Sequence, residues 1–539
     1  MTTTSATPSS PAGPSTPVAP STPVAPGTFA DLWREAVEQH GDRPFLVFRS
    51  EDGEVDTWTY AGFDRVVRDV MTRLDDDGVG AGDSVHLCLR NCPAFIALWL
   101  ATAQLGAWMV PVDPASTTRD VETQLARVTP RVGVLAAARA GTYRAAVADG
   151  SALRTVELAE TAADVEPGGA LRSGGDRAAG PVRVEPGARL AVMFTSGTTS
   201  QPKGVVLTQA NYRHVSEAMA AAADLARDDR WLVTLPLFHA NAQFYCFGPA
   251  IAVGASVALT ATFSASRWID TAVELEATHA SLFAAPIRMI LGRTPEGSTC
   301  RLRHTWFAQS LGPEHHRRFG ELTGTPPRQL YGMTETTAIV TADRSDPPAH
   351  DLIGRPIPGR SVRLVDPATH EDVEDGEPGM IMLSGERGVD LFREYLDDPA
   401  VTDRSFTTDA RGGTWFLTGD LAARTESGAM RFVGRVDDVI KVAGENVSLT
   451  EVEAILAQAP GVLEVAVLAR ADEVRDQVPV AYVVARDPDD PPDVDDLAAW
   501  AAGQLAPQAR PRDWHFIASL PRTSVGKVRR FKIGTDEVG

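Results

Sequence analysis

From residue 28 onward, helix-like and strand-like spacings of apolar positions alternate along the chain. "TFADLWREAVEQHGDRPFLVF" reads as an amphipathic helix followed by a strand. "LWLATAQLGAWMVPV" at 98–112 is apolar nearly throughout, yet too short and interrupted to span a bilayer, so it predicts a buried helix and then a strand. The alternation continues to about residue 320 with Gly and Ala at the turns, which predicts α/β layers with largely parallel sheets. Residues 161–189, rich in Gly, Ala, Asp, Glu and Pro, read as a connector ending at the apolar strand "RLAVMF". Between 360 and 434 the segments shorten to strands and turns ("SVRLVDP", "GMIMLSG", "ESGAMRFVG"), which predicts a small β subdomain. Beyond it a helix ("LTEVEAILAQA") and two strands ("VLEVAVLAR", "VPVAYVVAR") predict a compact α+β unit. The expected division is a Pro/Thr/Ser/Ala tail at 1–27, a large domain at 28–435 with two α/β layers and the β subdomain, and a small mobile domain at 436–539.

Composition narrows the function. With 539 residues, 43% of them apolar, the chain is long enough for several cores. A net charge of −20 excludes a duplex nucleic-acid binder working through a broadly basic face. The tail has neither a basic nor an apolar leader segment, so it reads as a disordered extension and not a secretory signal. Cys88, Cys92, Cys246 and Cys300 have no zinc-site spacing, and a reduced, cytoplasmic setting fits them. Lysine is the sharper signal. Of 51 basic residues only Lys203, Lys441, Lys527 and Lys532 are lysine. Where arginine serves as the general cation, a retained lysine points to a need for a compact ammonium. Lys532, near the end of the chain, is read as incidental.

Lys203 closes "TSGTTSQPKGVV" at 195–206, which follows an apolar strand and precedes the helix-like "TQANYRHVSEAMAAAADLA". Strand, small polar turn, helix is a setting for phosphate: glycine and small hydroxyls let backbone N–H groups approach an anion. The spacing is not that of a Walker loop.

"FTSGTTSQPKGVV" resembles the phosphate loop of the adenylate-forming superfamily, which includes acyl-CoA synthetases, peptide-synthetase adenylation domains and luciferases. Five further stretches resemble its later motifs in order: "PLFHANAQ" at 236–243, "YGMTETT" at 331–337, "WFLTGDLA" at 415–422, "GRVDDVIKVAGENVS" at 434–448 and "PRTSVGKVRR" at 521–530. "TWFAQSLGP" at 305–313 departs from the usual small-residue run. Its Phe307, Gln309 and Ser310 resemble the carnitine/crotonobetaine–CoA ligase branch.

The resemblance implies ATP, Mg²⁺ and a small organic acid, with coenzyme A as the favoured acceptor. It assigns Thr195, Ser196, Gly197, Thr198, Thr199 and Lys203 to the β- and γ-phosphates. Tyr331 would lie on adenine, Thr334 would reach a phosphate, and Glu335 would hold Mg²⁺, a hard cation that prefers oxygen ligands. Asp420 would accept both ribose hydroxyls, with Arg435 beside it. His239, Gln309 and Gly332 would line the acid pocket, His239 also gating the thiol tunnel. Lys527 would bridge carboxylate and α-phosphate in the transition state. Asp437 would be the hinge about which the small domain rotates, bringing Lys441, Gly444, Glu445 and Asn446 to the acceptor path. Here Ala443 stands where relatives carry a first glycine.

The motifs for acid activation leave the acceptor open. A carrier-protein thiol, an amine, or nitrite in the diazotisation of an aryl amine would use the same first half-reaction. A nucleotide-binding regulator without catalysis is the reading outside the enzymes, and Lys203, Glu335, Asp420 and Lys527 argue against it.

Overall fold

The computed structural model describes residues 26–172, 179–195, 202–309, 311–337, 339–409, 411–472, 474–522 and 528–534. The expectations on the tail to residue 25, and on Ser196, Gly197, Thr198, Thr199, Ser310 and Lys527, lie outside them.

Among the described residues the chain builds four sheets. In the seven-stranded sheet, Arg189–Thr195, Trp108–Pro111, Ser84–Cys88, Val132–Ala136 and Arg154–Leu158 run parallel, while Lys203–Thr208 and Glu394–Tyr395 add antiparallel at one edge. In the nine-stranded sheet, Arg328–Gly332, His304–Ala308, His279–Phe283, Arg230–Val233, Ser256–Thr260 and Pro44–Arg49 are parallel, with antiparallel edges. These are the two expected α/β layers. A five-stranded antiparallel sheet over 361–435 forms the β subdomain. A second five-stranded sheet, over 439–516, packs the helices Leu449–Leu456 and Val494–Gln504 into its own core.

The helix Pro93–Leu105 is buried at every one of its 13 residues. It lacks one apolar face because it meets packing partners all round. Proline opens it and Gly106, at φ 66°, closes it in the left-handed conformation that glycine adopts without a Cβ penalty. Trp99 stacks on Phe29 at 5.0 Å and meets Tyr212 at 5.6 Å, tying the buried helix to two amphipathic neighbours, Phe29–His40 and Gln209–Ala222. No helix among the described residues is long and apolar enough to cross a membrane.

One local expectation is corrected. The polar turn after Thr195 does not run directly into a helix. Lys203–Thr208 is a strand folded back on Arg189–Thr195, with Lys203 opposite Thr195. The helix starts only at Gln209, capped by Thr208, whose hydroxyl accepts from the Asn211 N–H. "KGVVLT" explains why: its β-branched and apolar residues complete a hairpin before the capping threonine.

Candidate active site

Parallel sheets place functional groups on the loops beyond the carboxyl ends of their strands. Thr195 ends one such strand, His239 follows Arg230–Val233, Gln309 follows His304–Ala308, and Gly332 with Thr334 ends or follows Arg328–Gly332. The sequence candidates from both large sheets thus lie at carboxyl ends.

The base of the hairpin formed by Arg189–Thr195 and Lys203–Thr208 is fixed from outside. Arg127 donates to the Pro202 carbonyl at 2.7 Å and to the Leu396 carbonyl at 2.9 Å, with its guanidinium 5.1 Å from the centre of the Phe194 ring. The neighbour of Leu396, Tyr395, links two sequence candidates. The Lys203 ammonium lies 5.1 Å over its ring, and its hydroxyl donates to Glu335 Oε1 at 3.1 Å. Burial pushes the Tyr395 hydroxyl far up and the Glu335 carboxylate adds to the shift, so it stays a donor at neutral pH. Arg127 and Tyr395 were not found from the sequence. Neither lies in a recognisable motif, and each acts across a long chain separation.

Glu335 lies on the short 3₁₀ turn Thr334–Thr336 and is buried. Its backbone carbonyl accepts from the Phe392 N–H at 2.8 Å. Among the described residues no three His, Cys, Asp or Glu side chains gather into a metal cage. A single carboxylate such as that of Glu335 nevertheless fits Mg²⁺, which keeps several waters and would take its other ligands from substrate phosphates.

A second cluster joins Tyr331, Asp420 and Arg435. The Tyr331 hydroxyl donates to Asp420 Oδ2 at 2.8 Å, and Arg435 Nε lies 3.5 Å from Oδ1. Asp420 and Arg435 are direct partners across antiparallel strands, so sheet register sets the pair. Gly419, at φ 73°, precedes Asp420 within the strand Thr414–Arg424; a Cβ there would stand 3.4 Å from the Arg435 guanidinium. Tyr331 is buried and packs near Phe432 at 6.2 Å.

Around the acid-pocket candidates, His239 is half-buried beside Phe238, ring centres 4.6 Å apart. It precedes a π-helix, Asn241–Phe247, a form that often marks functional sites. Asn241 is buried there and donates to Ser281 Oγ at 2.9 Å. Gln309 is exposed, at φ 73°, and its carbonyl accepts from Gln329 at 3.1 Å. Phe307 is a core residue near His316 and faces the helix Pro313–Thr323.

In the C-terminal unit, Val439–Val442 and Glu445–Ser448 form a hairpin in which Lys441 faces Asn446. Lys441, Gly444, Glu445 and Asn446 are all exposed. Asp437 is exposed on the short turn Val436–Asp438 just before it. Lys527 is undescribed, but its flanks are anchored. Arg522 bridges to Val528, the Arg529 N–H donates to the Pro521 carbonyl at 2.7 Å, and Arg522 pairs with Glu464 at 2.8 Å. Arg530 joins Asp438 at 3.0 Å and Glu453 at 2.6 Å, tying the end of the Lys527 segment to the residue after the hinge candidate. The charges of Glu464 and Arg522 both reach half-buried Arg288 of the helix Ala284–Arg293.

The sequence pattern of the family described as AMP-binding enzyme matches residues 33–396, and that of the AMP-binding enzyme C-terminal domain matches 451–527. The crotonobetaine/carnitine–CoA ligase of Proteus mirabilis (strain HI4320) is 29% identical over 508 residues, covering 92% of this chain and 97% of that one. Its counterpart in Escherichia coli O45:K1 (strain S88) is 28% identical over 514 residues, covering 93% and 97%. ATP-bound MatB from Rhodopseudomonas palustris superposes with a TM-score of 0.81 at 24% identity, over 93% of this chain and 97% of that one. The anthranilate CoA ligase AuaEII with anthranoyl-AMP gives 0.82 at 22%, over 94% and 97%. The chain belongs to the AMP-binding enzyme family.

Proposed function

We propose that the protein joins a small organic carboxylic acid to coenzyme A through an acyl-adenylate. The observation that carries this reading is the placement of Tyr395 between Lys203 and Glu335. An ammonium and a carboxylate in one buried site would neutralise each other. The Tyr395 ring holds the ammonium over its face and its hydroxyl engages the carboxylate, keeping the two apart. Lys203 is thereby kept for phosphate oxygens and Glu335 for a magnesium ion on them. Asp420, fixed by Tyr331 and Arg435, suits a ribose diol.

In the first half-reaction a carboxylate oxygen of the acid attacks the α-phosphorus, the bond to the bridging oxygen breaks, and pyrophosphate leaves. Lys527 supplies positive charge where the two anions meet. In the second, the sulfur of coenzyme A attacks the acyl carbon, the thiol proton is lost, and AMP leaves with the C–O bond electrons. We place the division between the two domains at 436, with Asp437 as hinge. Rotation there presents the 439–448 hairpin, and Lys441 with it, to the incoming thiol. His239, beside the acid, gates the thiol's approach. Dependence on ATP and coenzyme A makes the cytoplasm the expected compartment.

The test is acid-dependent ATP–pyrophosphate exchange across a panel of small aliphatic and aromatic acids, followed by mass detection of the thioester. Exchange without a coenzyme A product, together with turnover of an aryl amine and nitrite, would replace the acceptor and leave the activation step standing. No acid-dependent exchange would overturn the reading.

A further inference from the structure

Arg360 is a buried cation with no place in the chemistry above. Only 2% of its side chain is exposed. One terminal nitrogen donates to the Asp390 carbonyl at 2.7 Å and the other to the Thr336 carbonyl at 2.7 Å. Its charge is balanced by the Asp390 carboxylate at 3.4 Å. Its Nε has no partner among the described residues. Burial pulls down the guanidinium pKa, opposed by Asp390 and Tyr245. Taking such a group out of water is costly, and an apolar side chain of similar size would often be no worse for stability. A buried guanidinium aimed at two main-chain carbonyls therefore calls for a positional explanation.

Those carbonyls belong to the two segments that hold Glu335. Thr336 is its immediate neighbour. Asp390 lies two residues before Phe392, whose N–H donates to the Glu335 carbonyl at 2.8 Å. Thr337, at φ 53°, donates from its hydroxyl to the same Asp390 carbonyl at 3.0 Å. The 388–391 segment is pinned from its far side as well. Asn211 donates to the Val389 and Leu391 carbonyls, each at 2.8 Å, and Thr208 to that of Gly388 at 2.6 Å. Three residues beyond Phe392 stands Tyr395, between Glu335 and Lys203. His214 lies within electrostatic reach of Arg360 and Asp390, and burial lowers its pKa to about 4, so it adds no competing charge at neutral pH.

We propose that Arg360 is a positioning residue for cation binding: by stapling the Thr334–Thr337 turn to the 388–392 segment, it sets the place of the Glu335 carboxylate relative to Tyr395 and Lys203. The inference rests on the proposed function, because it takes Glu335 as the magnesium ligand. It differs from a packing role in what it moves. A packing residue would lower the melting temperature alone, whereas a displaced Glu335 weakens the cation specifically.

The experiment uses the full chain with Arg360→Met, Arg360→Lys and Thr337→Val. Two quantities are read: Mn²⁺ binding to the enzyme with α,β-methylene-ATP, by electron paramagnetic resonance of unbound Mn²⁺, and the Mg²⁺ dependence of acid-dependent pyrophosphate exchange. Arg360→Met should raise the Mn²⁺ dissociation constant and the half-saturating Mg²⁺ about tenfold, with the KM for the acid changed less than twofold. That size matches the loss of an outer partner that orients a metal ligand. Arg360→Lys, which reaches one carbonyl, should recover part of the loss. Thr337→Val, which removes a neighbouring bond to Asp390, should shift the same two quantities by a few-fold. If Arg360→Met does not fold, the other two decide. Lower melting temperatures with unchanged cation dependence would overturn the proposal. Failure of the wild-type chain to exchange pyrophosphate would strike the functional reading instead, and Mn²⁺ binding would still test Arg360.

Discussion

The two halves of the candidate site, one proposed to face the nucleotide and the other the acceptor, are built differently. In the first, Glu335, Asp420, Tyr331 and Tyr395 are buried, cross-linked by hydrogen bonds and held by sheet register. In the second, Lys441, Gly444, Glu445 and Asn446 stand exposed on a single hairpin of the small unit. Buried, fully engaged groups fix charge in a position set beforehand, which transition-state stabilisation needs. An exposed hairpin is suited to arriving, acting and leaving. On the proposed function, the difference would separate the step that needs rigidity from the one that needs motion.

The sharpest break is expected at Lys527. Replacing it with alanine should cut pyrophosphate exchange by about 10²–10³, the usual loss for one group aimed at developing charge. ATP affinity, read by isothermal titration, should hold within a few-fold, since Lys203, Asp420 and Glu335 remain. Near-normal exchange would move the catalytic ammonium elsewhere.

Asp437→Pro should cut the halves apart. Proline fixes φ near −65° and stiffens the turn. Exchange should survive because it needs one domain orientation. Thioester formation should fall by about a hundredfold, the scale set by small misplacements of reacting groups. Equal loss of both activities would count against rotation about 437.

Tyr395→Phe probes the rigid half more gently. It keeps the ring under Lys203 and removes the hydroxyl on Glu335. A hydrogen bond to a charged group contributes about 1.5–3 kcal/mol, so exchange should drop by roughly ten- to a hundredfold. The loss should appear mainly as a higher Mg²⁺ requirement. A change in ATP affinity at saturating Mg²⁺ would mean that Tyr395 serves Lys203 and not Glu335.

How far the sequence foretold these halves follows from how each is held. The α/β layers and the buried helix Pro93–Leu105 were legible because their signals are local, in the period of the apolar positions and the glycines at turns, whereas the hairpin 439–448 read only as part of a motif and emerges from its strand pairing. The motif residues Lys203, Glu335 and Asp420 were legible as ordered short runs. Tyr395, Arg127 and Arg360 were not. Tyr395 meets Glu335 from 60 residues away and Arg127 reaches Leu396 from 269 away, and one sequence carries no trace of such pairings. The strand Lys203–Thr208 was misjudged for a related reason. Its apolar run is too short to stand out between the polar turn and the helix that follows, and only its pairing with Arg189–Thr195 distinguishes it.

The smallest effect is expected in the exposed hairpin, at Ala443. The hairpin turns over two residues, Ala443 at φ 51° and Gly444 at φ 90°. Tight two-residue turns of this kind favour Asn-Gly or Gly-Gly because both centres need positive φ. Alanine in the left-handed region costs about 1–2 kcal/mol, and part of any gain from glycine is returned as extra freedom in the unfolded chain. Ala443→Gly should therefore stabilise the hairpin by no more than about 1 kcal/mol, roughly a fivefold rise in hydrogen-exchange protection for amides paired between 439–442 and 445–448. The main-chain bond from the Ala443 N–H to the Arg475 carbonyl, at 3.0 Å, is available to glycine too, so the turn keeps its anchor. Pyrophosphate exchange should not change if, as proposed, the hairpin serves only the second half-reaction. Thioester formation should change by less than twofold if Lys441 already reaches its working position. Lower protection in the glycine variant would show that the alanine methyl packs in the turn and is not strained there. A faster second half-reaction with unchanged exchange would show that the strained turn limits how the hairpin presents Lys441, and would place the rate of acyl transfer in two residues of backbone.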